Sequence, residues 1–376
     1  MRPSLSFASL IVPASLVVCS CGGNLAADGG DGGPGNGASS SVRSNPGPSD
    51  DSGSVTPVPP SGDSAVSASP TPVCDGGSPG TPTVPSGALC ATMPTAQPTF
   101  LAASPGLAWG LAVDATQVFW GIQESGPAMR VPVAGGSAAP VGTTSAWTVA
   151  IDATDVYTAD GSGNIVSCPK SGCPGAPRIV ATGAASTMGI AVDATTVYWA
   201  TLEGASILSA PKAGGGPTTT LATGGWPYEV ALDDTYVYWT DNDGPVWKVA
   251  KTGGAPIELA NPTTVNSFQP MGIAVDGTNV YFETSDGKIW QVSKACGGAP
   301  IVLASDAGNE PWGLAVDDAA VYYASGTTGA VESVPIGGGC VTQLAQVPGD
   351  NGCIGVAVDA SNVYFTCTGG VYRVSK

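Results

Sequence analysis

The stretch GIAVDATTVYWA, residues 189–200, decides the fold. Small and aliphatic residues lead up to Asp193, a short turn follows, and Val197-Tyr198-Trp199 then runs apolar at successive positions. A short aliphatic run, a turn and a β-branched and aromatic run make a hairpin; the 3.6-residue periodicity of a helix is absent. The pattern returns as GLAVD ending at Asp114, TVAID at Asp152, EVALD at Asp233, GIAVD at Asp276, GLAVD at Asp317 and GVAVD at Asp359. Successive aspartates are 38, 41, 40, 43, 41 and 42 residues apart, which makes seven copies.

Each copy contains two further strand-like runs. KIWQVSK (288–294) shows the third, and APIELA (255–260) and APIVLA (299–304) show the fourth, after a Gly-Gly-x-Pro corner. Four short strands at a period near 42 predict the blades of a β-propeller. The expected fold is all-β, a seven-bladed β-propeller with four-stranded antiparallel blades; a six- or eight-bladed ring is the alternative. The last copy stops at VYRVSK (371–376), after its third strand, while QPTFLA (97–102) precedes the first copy and matches PTTTLA (217–222). The N-terminal strand is therefore expected to complete the last blade, which removes two open sheet edges. The expected blades are about 106–143, 144–184, 185–225, 226–266, 267–309, 310–349, and 350–376 with 96–103.

Tyr238-Trp239-Thr240-Asp241 is a literal YWTD, and the Val-Tyr-Trp and Val-Tyr-Phe copies around it resemble the YWTD and NHL propeller families over residues 96–376. That resemblance implies a fold and not a ligand. YWTD propellers usually have six blades, so the seven copies here weaken any transfer of ligand class.

The N-terminus reads as an export address. Arg2 precedes an apolar run from Leu5 to Val18, too short for a confident transmembrane span. Val18, Ser20 and Cys21 resemble a bacterial lipoprotein signal, with residues 1–20 removed and Cys21 acylated; an ordinary secretory signal cut elsewhere is the alternative. Residues 21–95 are Gly/Ser/Pro-rich and read as a disordered tether, spanning roughly 45–50 Å as a flexible coil. Loss of Cys19 and acylation of Cys21 would leave eight of the ten cysteines, an even number, as an exported protein prefers. The expected pairs are Cys74–Cys90, Cys168–Cys173 across a tight turn, Cys353–Cys367 across a hairpin, and Cys296–Cys340 at corners of adjacent blades.

The chain carries 12 Lys+Arg against 29 Asp+Glu, a net charge of −17. That balance argues against nucleic acid as a partner and leaves the N-terminal lipid as the only expected membrane contact. Histidine is absent, which removes Ser-His-Asp and Cys-His activation and every His-ligated metal site. No catalytic residue is assigned, and no cofactor is implied beyond a weak calcium signal. DNDG (241–244), with Asp241 and Asp243, resembles the start of a calcium loop without its later ligands.

The seven repeat aspartates sit at hairpin turns and are expected to accept backbone N–H bonds. Five residues before each stand Trp109, Trp147, Met188, Tyr228, Met271, Trp312 and Ile354, an apolar ring expected at the channel mouth, with Trp226 close by. Loops on that face carry Glu124, Asp160, Glu203, Asp241, Asp243, Glu283 and Asp286. Aromatics ringed by carboxylates suit a sugar, a cationic peptide or a calcium-bridged ligand, whereas aromatics that plug the channel are the structural alternative. Trp109, Trp147, Tyr228, Trp312 and Trp226 are the ligand-binding candidates. The favoured function is a membrane-tethered, monomeric binding or scaffold module for a protein or glycan. A calcium-dependent propeller hydrolase or lactonase and a purely structural envelope lipoprotein are the alternatives.

Overall fold

The structure is a computed structural model that describes residues 97–123, 126–261, 269–295, 298–305, 313–350 and 352–376. The expected signal, Cys21, the whole tether and the Cys74–Cys90 pair lie outside the described residues, as do Glu124, Cys296 and Trp312.

Among the described residues there are 28 strands, β1 to β28, in seven four-stranded sheets. The first six blades are β2–β5 (108–145), β6–β9 (149–182), β10–β13 (187–223), β14–β17 (227–260), β18–β21 (270–304) and β22–β25 (314–346). The seventh is β26–β28 (356–375), and β1 (Thr99–Ala102) is its outer strand, antiparallel to β28 with Thr99 opposite Arg373 and Phe100 opposite Tyr372. The first strand of each blade is innermost: β2 (Ala108–Val113), β6 (Val149–Ile151), β10 (Thr187–Val192), β14 (Pro227–Leu232), β18 (Pro270–Val275), β22 (Leu314–Val316) and β26 (Val356–Val358). Each touches the next, and β26 returns to β2, so the ring is closed and seven-bladed.

Blade stacking explains the sequence pattern. The second strands β3 (Gln117–Ile122), β11 (Thr196–Thr201), β15 (Tyr236–Asp241), β19 (Asn279–Thr284) and β27 (Asn362–Cys367) are buried at every position after the first. A strand covered on both faces reads as a continuous apolar run. Trp199 of the third blade, for example, packs in one cluster with Ala150, Tyr157 and Ile165 of the second. Each such side chain contributes about 1.5–3 kcal/mol on burial.

The inner strands meet with almost no space. A Cβ on Gly313 would stand 2.0 Å from the Ile354 carbonyl oxygen, and one on Gly355 2.5 Å from that of Trp109. Close backbone approach thus favours glycine four residues before the repeat aspartate, where five of seven blades have it; Thr148 and Glu229 depart from it, and the neighbour of Gly272 is the Glu283 side chain.

The aspartate ring does more than cap turns. Asp193 Oδ1 accepts the N–H groups of Thr195 and Thr196, both at 2.9 Å. Its Oδ2 accepts the Tyr198 hydroxyl at 3.0 Å and the ammonium of Lys251, from the next blade, at 2.9 Å. The same inter-blade ion pair recurs as Asp114–Lys170, Asp152–Lys212, Asp233–Lys294 and Asp317–Lys376. Each ammonium also lies over the aromatic ring beside its aspartate, from Lys170 over Phe119 to Lys376 over Tyr322. Burial works against the charge on Asp193, but Lys251 and the two backbone N–H groups outweigh it and hold the carboxyl down at about 2. Five of the seven junctions are latched this way. At the other two, Ile336 packs in the cluster of Tyr281, and Val133 in that of Tyr364, at the place the lysine takes elsewhere.

The disulfides Cys168–Cys173 and Cys353–Cys367 are formed. They mark an exported protein, since such bridges persist in oxidising compartments. Cys340 is an exposed free thiol, and Cys296, its expected partner, lies outside the described residues.

Candidate functional site

Four of the residues expected at the channel mouth, Trp109, Met188, Tyr228 and Met271, lie on β-bulges. In β2, β10, β14 and β18 the register against the second strand slips by one residue, between Ala108 and Leu111, Thr187 and Ile190, Pro227 and Val230, and Pro270 and Ile273. A bulge inserts one residue and re-aims the side chains around it. The bulged pairs are Trp109-Gly110, Met188-Gly189, Tyr228-Glu229 and Met271-Gly272.

The ring of seven is not uniform. Met271 and Ile354 are buried, while Trp109, Trp147, Met188 and Tyr228 are half-buried. Trp109 and Trp147 belong to adjacent blades stitched by the Gly110 N–H to the Trp147 carbonyl at 3.1 Å. Trp226 is 55% exposed. Its loop is nonetheless fixed, because Asp241 Oδ1 accepts the Trp226 N–H at 2.8 Å and the Asp243 N–H at 3.1 Å, and the Trp226 carbonyl accepts the Asn242 N–H at 2.9 Å.

Three of the expected mouth carboxylates, Asp160, Asp241 and Asp286, turn inward on their own loops. Asp160 accepts the N–H groups of Ser162 and Asn164, and Asp286 holds the Thr284 hydroxyl and Lys288. Asp241 is buried in its capping role, and that burial raises its pKa. Glu203 and Asp243 are exposed. Among the described residues no three acidic, His or Cys side chains come together as a metal site.

One expectation needs correction: Glu283, expected in a loop, sits in a strand. A cavity of about 110 Å³ lies on the axis, lined by Trp109, Gly110, Thr148, Gly272, Gly313 and Gly355, and Glu229 also lines it. Glu283 is on β19, fully buried, and its Oε1 accepts the Gly272 N–H at 3.2 Å. Burial pushes the Glu229 carboxyl up to about 8. Glu283 is raised likewise, first by burial and then by the charge of Glu229. Burial thus favours the protonated form of both carboxyls. Burial also pushes the neighbouring Tyr228 hydroxyl up. The signal that could have found them was on the page: Glu229 stands where five blades have glycine, and Glu283 where the others have Gly, Ala or Thr.

No family model matches the chain, and no curated protein matches it. Solved structures do. Virginiamycin B lyase from Staphylococcus aureus aligns at a TM-score of 0.62 with 12% identity, over 74% of this chain and 98% of that one. YCF48 from Cyanidioschyzon merolae aligns at 0.56 with 10% identity, over 74% and 98%. The extracellular domain of a B. thetaiotaomicron hybrid two-component system aligns at 0.56 with 12% identity, over 74% of this chain and 39% of that one. At such identities the likeness is one of fold alone.

Proposed function

We propose that the protein is an exported propeller, tethered through an acylated Cys21, that binds a protein or glycan on its channel-mouth face. The observation that carries this reading is Trp226, 55% exposed on a loop held by the buried carboxylate of Asp241. A large aromatic kept in water by a rigid loop, with half-buried Trp109, Trp147 and Tyr228 on the same face, is the composition of a binding surface. Pre-organised aromatic anchors lose little entropy on binding. The cavity beneath has room for several waters, so the ligand rests on the face and does not thread the channel.

The fold's presence in a lyase does not bring that lyase's chemistry here. An inactive form of virginiamycin B lyase has a histidine replaced by alanine, and this chain has no histidine. Screening of the full chain against envelope glycans and envelope proteins tests the reading. Trp226→Ala alone, and the Trp109→Ala/Trp147→Ala/Trp226→Ala variant, should lose at least about tenfold in affinity for whatever wild type retains, as expected of anchor residues. Equal binding by wild type and both variants would contradict it.

A further inference from the structure

Charge is sorted by face around the ring. Each blade turns from its first strand to its second, and from its third to its fourth, on the aspartate rim; its entry loop and its second-to-third loop lie at the mouth. Of the 12 lysines and arginines, Arg2 and Arg43 lie outside the described residues, which leaves ten. Nine stand on the rim side. Five are the latch lysines. Arg130, Arg178, Lys248 and Arg373 donate to carbonyls of the adjoining blade, at Ser171, Lys212, Lys294 and Val133 respectively. The tenth, Lys288, begins β20 (Lys288–Ser293) at the mouth and is ion-paired to Asp286.

Outside the channel itself, the described mouth loops carry Asp160, Glu203, Asp241, Asp243, Asp286 and Asp350 against that one paired cation. Loop capping accounts for four of them; Asp350, for example, accepts the Thr368 hydroxyl at 2.6 Å and the Gly369 N–H at 3.1 Å. It does not account for Glu203 and Asp243. Both are exposed, and neither carboxylate accepts a hydrogen bond among the described residues. Their loops are joined to that of the exposed Trp226. The Gly224 N–H donates to the Ala205 carbonyl at 2.7 Å, two residues after Glu203. Trp226 and Asp243 both donate backbone N–H groups to Asp241 Oδ1. Gly225, at φ +70, admits no side chain, since a Cβ there would stand 1.8 Å from Asp241 Oδ2. Three tied loops thus present one indole and two unengaged carboxylates to solvent.

We propose that the mouth ligand is a lysine- or arginine-rich polypeptide segment, whose cations stack on Trp226 and pair with Glu203 and Asp243. This rests on the reading of the mouth as the binding face and names the class of its ligand. The face of an indole attracts an ammonium or guanidinium group. Carboxylates with no partner in the chain add charge pairing, and a surface of one sign steers cations in and turns anions away. A neutral sugar stacks on an indole equally well, but it does not read the sign of the face. The chain does not supply the segment itself: residues 21–95 hold Arg43 against six aspartates, and the rim's cations are engaged at blade junctions.

The test uses the full chain and three fluorescent probes: a peptide of alternating lysine and glycine, its glutamate counterpart, and a neutral glucan oligosaccharide. Fluorescence polarisation should show saturable binding of the basic peptide alone, weakened at least about tenfold between about 50 and about 500 mM salt. Trp226→Ala should weaken it about tenfold, and Glu203→Gln/Asp243→Asn at least about fivefold. Asp234→Asn/Asp318→Asn removes the same charge from exposed rim positions and should leave it unchanged. Basic-peptide binding that survives Trp226→Ala, or that the rim variant loses equally, would overturn the proposal. So would Trp226-dependent binding of the oligosaccharide or the acidic peptide without the basic one, although the mouth would then stand as the binding face. Failure of every probe overturns the cationic ligand, and the envelope screen then decides separately whether the mouth binds anything.

Discussion

The rim of repeat aspartates and the channel mouth are built from the same residue types to opposite ends. On the rim, the carboxylates are partnered by backbone N–H groups and mostly by tyrosine and a lysine from the next blade, and they stay charged. At the mouth, Glu283 is buried and Glu229 lines the cavity; both are pushed toward neutrality, and one Glu283 oxygen has no hydrogen-bond partner among the described residues. The rim arrangement recurs around the ring; the mouth arrangement occurs once. In a repeat protein, chemistry shared by every copy answers to the packing that every copy needs. A copy that breaks the pattern at a cost in stability has a reason outside packing.

The sharpest way to break the ring is to remove what closes it. Deletion of residues 96–103 strips β28 of its partner and exposes Leu101 and Ala102, both nearly fully buried. Loss of a buried leucine alone costs about 2–5 kcal/mol, so the deletion should lower Tm steeply or abolish folding. An unchanged melting curve would contradict this closure. Next in size is Gly355→Ala, whose Cβ would meet the Trp109 carbonyl at 2.5 Å and should cost about 1–3 kcal/mol in denaturant titration.

The latch and the acid pair should respond to pH with opposite signs. Lys251→Met, whose ammonium is largely buried against Asp193, should cost about 1 kcal/mol at pH 7. The Asp193 pKa is depressed, so the wild-type advantage is present above the unfolded value near 3.9 and fades as pH falls toward about 2. Glu283 is raised from an unfolded value near 4.3, so the wild type loses stability as pH rises from there toward about 8. Glu283→Thr should therefore melt higher than wild type at pH 7, with the gap closing below about pH 4. The smallest effect is a gain: Val133→Lys, facing Asp359 and Tyr364 where no latch exists, should add a few tenths of a kcal/mol. Chemical denaturation of each variant across pH checks all three.

The ring was legible because its causes are periodic. The repeat at Asp193 and its six companions, and the match of residues 97–102 to 217–222, fix blade number and closure without any contact being known. The lysine latches were equally present in the letters, at the end of five of the seven third strands, yet their partners lie 56 to 61 residues away in sequence, across a blade junction. Distances of that kind appear only when blades stack. The mouth was half legible: Trp109, picked out by its spacing, lines the axial cavity, and Tyr228 precedes Glu229, which lines it too. The bulges at Trp109 and Tyr228, and the burial of Glu283 inside β19, depend on register.

Crosslinking of the full chain to envelope fractions, with recovered partners quantified for wild type, Trp226→Ala and Lys251→Met, tests most directly whether mouth and rim have separate tasks. Trp226→Ala should lose the specific partners at an unchanged Tm, and Lys251→Met should keep them at a lowered one. Full retention of partners by Trp226→Ala would contradict the assignment of binding to the channel mouth.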